Sequence, residues 1–183
     1  MAERPPRADA LRNREKVLMA AREAFAACGY GVPLDEIAAR AGVGPGTVYR
    51  HFPSKEELFE AVVAARVQDL IDDARGRAAT ADPGRAFFGF LGKIRQEAAA
   101  KRDLPDVITI AGSMQEDLHA ALDVLLRRAQ QAGAVRPDIT TPDLIVLLKG
   151  LLRSINDAPP STSGPALSDR LLAVVTDGLR PRS

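Results

Sequence analysis

An all-α fold is what this 183-residue chain predicts. Three observations carry that expectation. Ala, Leu and Arg dominate, Trp is absent, and strand-type alternation is scarce. Apolar residues recur at the three-and-four spacing of a buried helical face. Gly and Pro cut that pattern into segments of helical length. With 46% hydrophobic residues the chain can bury a core, which excludes disorder throughout.

The first helix is predicted from about Ala8 to Cys28, because Val17, Ala21, Ala24, Phe25 and Cys28 share one face. That face places Cys28 in the core as a packed, unreactive thiol. Gly29 stops the helix. Leu34 to Ala41 reads as a short second helix, with Leu34, Ile37, Ala38 and Ala41 inside and with Asp35 and Glu36 where a helix N-terminus favours negative charge. Gly42, Val43 and Gly44 make a turn. A third helix then opens with Gly44 as N-cap and Pro45 at the first helical position, where the missing N–H is no loss, and runs to about Phe52. Pro53 interrupts the chain. Ser54 and Glu57 form an S-x-x-E capping box that opens a long fourth helix through Leu58, Phe59, Val62, Val63, Val67, Leu70 and Ile71. Beyond Gly76, Gly and Pro breaks leave helices at about 84–101, 104–111, 113–132, 141–157 and 166–179, about nine in all.

Charge is uninformative in total, at +1, and more useful when divided. Residues 1–55 hold nine Lys or Arg against six acids, a net +3, so the remainder is −2. A basic head on an acidic body suits contact with phosphate. Arg4, Arg7, Arg12 and Arg14 read as a solubilising tail, or else as an arm for the minor groove.

Helix, a three-residue turn with Gly, and helix again is the arrangement that sets a second helix into the major groove. The third helix buries Val48 and Phe52 one turn apart and leaves Gly46, Thr47, Tyr49, Arg50 and His51 facing out. Small residues allow close approach, and hydroxyls, Arg and His reach phosphates and base edges. Lys55, at the start of the fourth helix, adds a charge for another phosphate. Two domains follow: 1–53, a basic arm and helix-turn-helix, and 54–183, a helical domain joined to it by the helix from 54.

The run Ile37-Ala38-x-x-Ala41-Gly42-Val43-Gly44-x-Gly46-Thr47-Val48-Tyr49-x-His51-Phe52-x-Ser54-Lys55-x-x-Leu58 resembles the signature of the TetR family of one-component regulators. The resemblance extends from about Val17 to Val63, and more loosely to Ala132–Asp138. It implies a homodimeric DNA-binding regulator, a repressor released from a pseudo-palindromic operator by a small apolar effector. By the same resemblance Thr47, Tyr49, His51 and Lys55 meet phosphates, while Pro45, Gly46 and Arg50 sit at the base contacts, Arg50 reading guanine. Tyr49 can alternatively pack against the first helix. The chain departs from the family at two caps: Pro33 stands where Ser or Thr often caps the second helix, and Gly44 where Ser begins the third.

In the second half, Leu144, Ile145, Leu147, Leu148, Leu151, Leu152 and Ile155, with Leu167, Leu171, Leu172, Val174, Val175 and Leu179, give two helices apolar faces wide enough for an intersubunit four-helix bundle. Leu144, Leu148, Leu151, Leu152, Leu171 and Val175 are the residues expected at that dimer interface. Between the fourth helix and the bundle, Phe87, Phe88, Phe90, Leu91, Ile94, Val107, Ile108, Ile110, Met114, Leu118 and Leu122 could line an apolar cavity, with Gln115 and His119 to orient a ligand, although ordinary core is the plainer reading. The ligand set expected is Phe87, Phe90, Leu91, Ile94, Met114, Leu118 and His119.

Catalysis is not indicated. There is no nucleophile elbow, P-loop or H-E-x-x-H, and Gly42–Gly46 follows no strand and misses dinucleotide spacing. One Cys and two His leave little for a metal site, and no cofactor is expected. No apolar run reaches the roughly 18 residues of a membrane span, and the charged start is unlike a signal peptide, so a cytoplasmic protein is expected. The rival readings are a helical small-molecule or protein-binding module and an enzyme without a recognisable motif.

Overall fold

The computed structural model describes residues 6–99, 112–157 and 165–181, and among them every regular element is a helix. These are α1 (Pro6–Cys28), α2 (Leu34–Ala41), α3 (Pro45–His51), α4 (Lys55–Ala78), α5 (Pro83–Ala99), α6 (Gly112–Gln131), α7 (Thr141–Asn156) and α8 (Pro165–Leu179). The count expected from sequence was about nine; the helix expected at 104–111 lies outside the described residues, as do Val107, Ile108 and Ile110. The chain divides into two compact units, and the division falls within α4, between Ala65 and Arg66.

In the first unit α1, α2 and α3 pack on one another. Val17, Ala21, Ala24 and Phe25 of α1 are buried, as are Ile37 and Ala38 of α2, Val48 and Phe52 around α3, and Leu58 and Phe59 in the first turns of α4. Cys28 departs from the expectation: it is exposed. Ala26 and Ala27 beside it are exposed too, so the last turn of α1 overruns the core before the chain bends at Gly29. The turn from α2 to α3 is a Schellman closure, in which Val43 N–H donates to Ala38 C=O at 3.1 Å and Gly42 N–H to Ala39 C=O at 3.1 Å. It requires Gly42 at φ +66°, the left-handed region.

The second unit is arranged around α5, which packs against α6, α7 and α8. Phe87, Phe90 and Leu91 of α5 are fully buried with Leu122, Leu125 and Leu126 of α6, Leu144 and Leu148 of α7, and Leu179 of α8. Asp82 accepts the Arg85 N–H at 2.9 Å and so caps α5. Just inside that start, a Cβ on Gly84 would lie 2.7 Å from the Ala134 Cβ, so only glycine allows this approach of α5 to the turn after α6. That turn is pinned by polar bonds: the Gln130 amide donates to the carbonyls of Arg136 at 3.0 Å and Ile139 at 2.8 Å, and Arg136 N–H donates to Leu179 C=O at 2.9 Å. α7 opens on a reciprocal box in which Thr140 Oγ1 accepts the Asp143 N–H and the Asp143 carboxylate accepts the Thr140 N–H. Arg95 of α5 bridges to Asp169 of α8 at 3.0 Å.

Nothing lies within 4 Å of a Cβ added at Gly42, so a side chain there is opposed by backbone strain alone. Gly42→Ala is expected to destabilise the protein by about 1–2 kcal/mol, read as a fall of a few degrees in thermal unfolding by circular dichroism; an unchanged transition would show that the turn is not held left-handed.

Candidate nucleic-acid interface

The candidate surface is built on α3, seven residues that two buried side chains hold in place. Val48 is fully buried and Phe52, at the C-cap, nearly so, with the Phe52 N–H donating to Val48 C=O at 2.8 Å. Helical geometry then turns the other residues outward. Pro45, Gly46 and Arg50 are exposed, Tyr49 is 50% exposed, and Thr47 and His51 are half-buried. Five of the residue types that can meet DNA, Gly46, Thr47, Tyr49, Arg50 and His51, thus come together on one short helix.

Both helix entries rely on backbone. Pro33 and Gly44 make no side-chain cap, and α3 begins with Pro45 at its first position and with Thr47 N–H donating to Gly44 C=O at 2.9 Å. At the entry to α4 the expected hydroxyl is in place, Ser54 Oγ accepting the Glu57 N–H at 3.1 Å.

Lys55 is set by contacts that the sequence did not reveal. Its ammonium lies over the Tyr30 ring, 4.7 Å from the centroid. Tyr30 packs edge-on against Phe59 at 5.3 Å and stacks with Phe25 at 6.1 Å, while Phe25 and Phe59 meet edge to face at 5.2 Å. The Tyr30 hydroxyl donates to Glu56 Oε1 at 2.7 Å. Burial, followed by this bond to a carboxylate, pushes the Tyr30 phenol up to about 12. The same bond is the main cause that lowers Glu56 below the ordinary carboxylate value. Arg14 is not in a loose tail: it lies within α1, its guanidinium 5.1 Å from the centroid of the Phe52 ring. Only chain folding brings residues 38 positions apart into that contact, which no local sequence signal encodes. Exposed Cys28 receives Arg40 Nη2 at 3.7 Å, and Arg40 is also paired with Glu36 at 2.6 Å.

The residues expected at a ligand site separate into two groups. Phe87, Phe90 and Leu91 are fully buried in the second unit's core, whereas Ile94, Met114, Leu118 and His119 are half-buried. A cleft of about 260 Å³ on the second unit is lined by Arg75, Ala78, Asp117, Ala120, Ala121 and Val124, none of them an expected ligand residue, with Arg75 and Asp117 3.5 Å apart. The expected dimer residues separate too. Leu144 and Leu148 are buried in the core of their own chain; Leu151, Leu152, Leu171 and Val175 are half-buried. The large apolar side chains left outside on these helices are Val146 (71% exposed), Leu147 and Val174 (70%). Among the described residues no group of three His, Cys, Asp or Glu could hold a metal ion, and no helix is long and apolar enough to cross a membrane.

Comparison with known proteins converges on one class. Residues 17–62 match the description of bacterial regulatory proteins of the tetR family, and residues 82–181 that of the C-terminal domain of SbtR-like transcriptional regulators. The transcriptional regulator UidR of Escherichia coli is 30% identical over 146 residues, covering 70% of this chain and 71% of its own. The transcriptional activator FasR of Mycolicibacterium smegmatis is 39% identical over 87 residues, 43% of this chain and 40% of its own. A TetR transcription regulatory protein from Mycobacterium vanbaalenii superposes with a TM-score of 0.76 at 41% identity, covering 97% of this chain and all of that one.

The Tyr30–Glu56 bond generates a direct test. Tyr30→Phe is expected to raise the Glu56 titration toward the ordinary carboxylate value, as followed by the NMR shift of its carboxyl carbon across acid pH; an unmoved midpoint would remove the bond as the cause.

Proposed function

Because the chain belongs to the TetR family of DNA-binding transcriptional regulators, we propose that it works as a homodimeric repressor that leaves a pseudo-palindromic operator when a small apolar ligand binds its second unit. The observation that carries the reading is the outward face of α3, with Arg50 and Tyr49 exposed on a helix anchored by Val48 and Phe52. Arg50 is the residue assigned to a guanine edge, since a guanidinium can donate two parallel bonds to O6 and N7. Thr47, Tyr49, His51 and Lys55 supply backbone contacts, and Pro45 and Gly46 allow the helix to approach closely.

Pairing comes from α7 and α8. Val146 and Val174, both about 70% exposed, with half-exposed Leu147 and the partly buried Leu151, Leu152, Leu171 and Val175, form the apolar strip that a second copy covers. The ligand reading rests on Ile94, Met114, Leu118 and His119, half-buried residues of α5 and α6 beside the buried Phe87, Phe90 and Leu91. Ligand binding would bias α4, which contributes to both units, between two states. A cytoplasmic location accords with access to DNA. A second reading is activation, as FasR is an activator; the sign of regulation is read by fusing the flanking promoter to a reporter and deleting the gene.

Two outcomes are expected. In titrations against the DNA flanking its own gene, wild type binds site-specifically, and Arg50→Ala weakens that binding by about 10- to 100-fold, the value of one bidentate base contact; equal affinity for flanking and random duplexes would refute the reading of α3. The double variant Val146→Asp, Val174→Asp is expected to sediment as a monomer where wild type sediments as a dimer, and a variant that still pairs would place the interface elsewhere.

A further inference from the structure

Two cations at the end of the recognition helix rest on aromatic rings. Lys55 lies 4.7 Å from the centre of Tyr30, and Arg14 lies 5.1 Å from the centre of Phe52. They come from different elements, Arg14 from α1 and Lys55 from the first residue of α4, yet both adjoin the C-terminal end of α3, whose C-cap is Phe52. Two other Arg residues of this unit are held differently: Arg12 pairs with Asp9 and Arg40 with Glu36, each against a carboxylate. A ring face attracts a cation without neutralising it. It also restricts a long, many-rotamer side chain before any partner arrives, which lessens the ordering that binding would otherwise require. Tyr30 acts twice, because its hydroxyl engages Glu56, the carboxylate next to Lys55 in the chain.

We infer that Tyr30 and Phe52 are positioning residues that present Lys55 and Arg14 to the DNA backbone beside α3, and that Arg14 is therefore a further phosphate contact. The inference rests on α3 being the DNA reader. It extends the interface from α3 and α4 onto α1, on a residue that sequence alone assigns to a solubilising tail or a minor-groove arm.

The test uses the full chain and a fluorescent duplex of the DNA flanking its gene, with a random duplex of equal length alongside, each titrated at several salt concentrations. Arg14→Gln and Lys55→Gln should each flatten the dependence of log affinity on log salt by about 0.9 for every phosphate that each bound copy no longer neutralises. Tyr30→Phe, which keeps the ring and loses only the bond to Glu56, should retain most of the binding that Tyr30→Leu loses. Tyr30→Leu should weaken binding several-fold in wild type and add nothing once Lys55 is Gln, since the ring then has no cation to hold. An unchanged salt slope for Arg14→Gln beside a flattened one for Lys55→Gln overturns the assignment of Arg14. An equal effect of Tyr30→Leu in both backgrounds makes Tyr30 merely structural and overturns its positioning role. The Arg14 and Tyr30→Phe arms stand even if Tyr30→Leu unfolds. Wild type that shows no salt-dependent binding to either duplex fails at the earlier step, the reading of α3 itself.

Discussion

Seven residues cannot hold a helix in water by themselves, and this constraint governs the first unit. α3 stays helical because Val48 and Phe52 are buried among the helices around it, and that burial leaves the opposite face exposed. The neighbours are in turn shaped to receive it. Gly42 in the left-handed region reverses the chain within a three-residue turn, and Pro45 starts the helix with φ already set. Loss of the Val48–Phe52 anchor would leave Arg50 and Tyr49 on a segment with no fixed direction.

The second unit solves a different problem with the same means. α5 must contact three helices, so its phenylalanines and Leu91 go to the centre, and glycine is needed where its start meets the turn after α6. Polar bonds secure the edges. Gln130, Arg136 and the Thr140–Asp143 box satisfy backbone groups of the connection from α6 to α7, which therefore leaves α6 and enters α7 along a defined path.

Most of the helical order was legible because punctuation and periodicity agreed. Around α2 and α3, Gly42, Gly44, Pro45, Ile37, Val48 and Phe52 each indicated the same boundaries, and the structure has them. Periodicity was less informative at a helix end: Cys28 keeps the apolar spacing of α1, but the core stops before the last turn, and spacing carries no record of where a neighbour ends. On α7 the apolar face is broad, and composition could not say that Leu144 and Leu148 turn inward while Val146 turns out. The ring seats of Arg14 and Lys55 were illegible for a similar reason, since each joins residues distant in sequence through a face that only the folded chain creates.

Cys28 has a practical chemistry of its own. It is the only thiol in 183 residues, it faces solvent, and it ends α1 in the unit that carries α3. A thiol-reactive spin label or fluorophore would therefore attach at a single address in each copy, and wherever two copies pair, the distance between two labels would report how far apart their first units stand. The same exposure brings a hazard at the bench. Two copies can be joined by an oxidised sulfur bridge that has nothing to do with α7 and α8, so a dimer of this protein is meaningful only in the presence of a reducing agent.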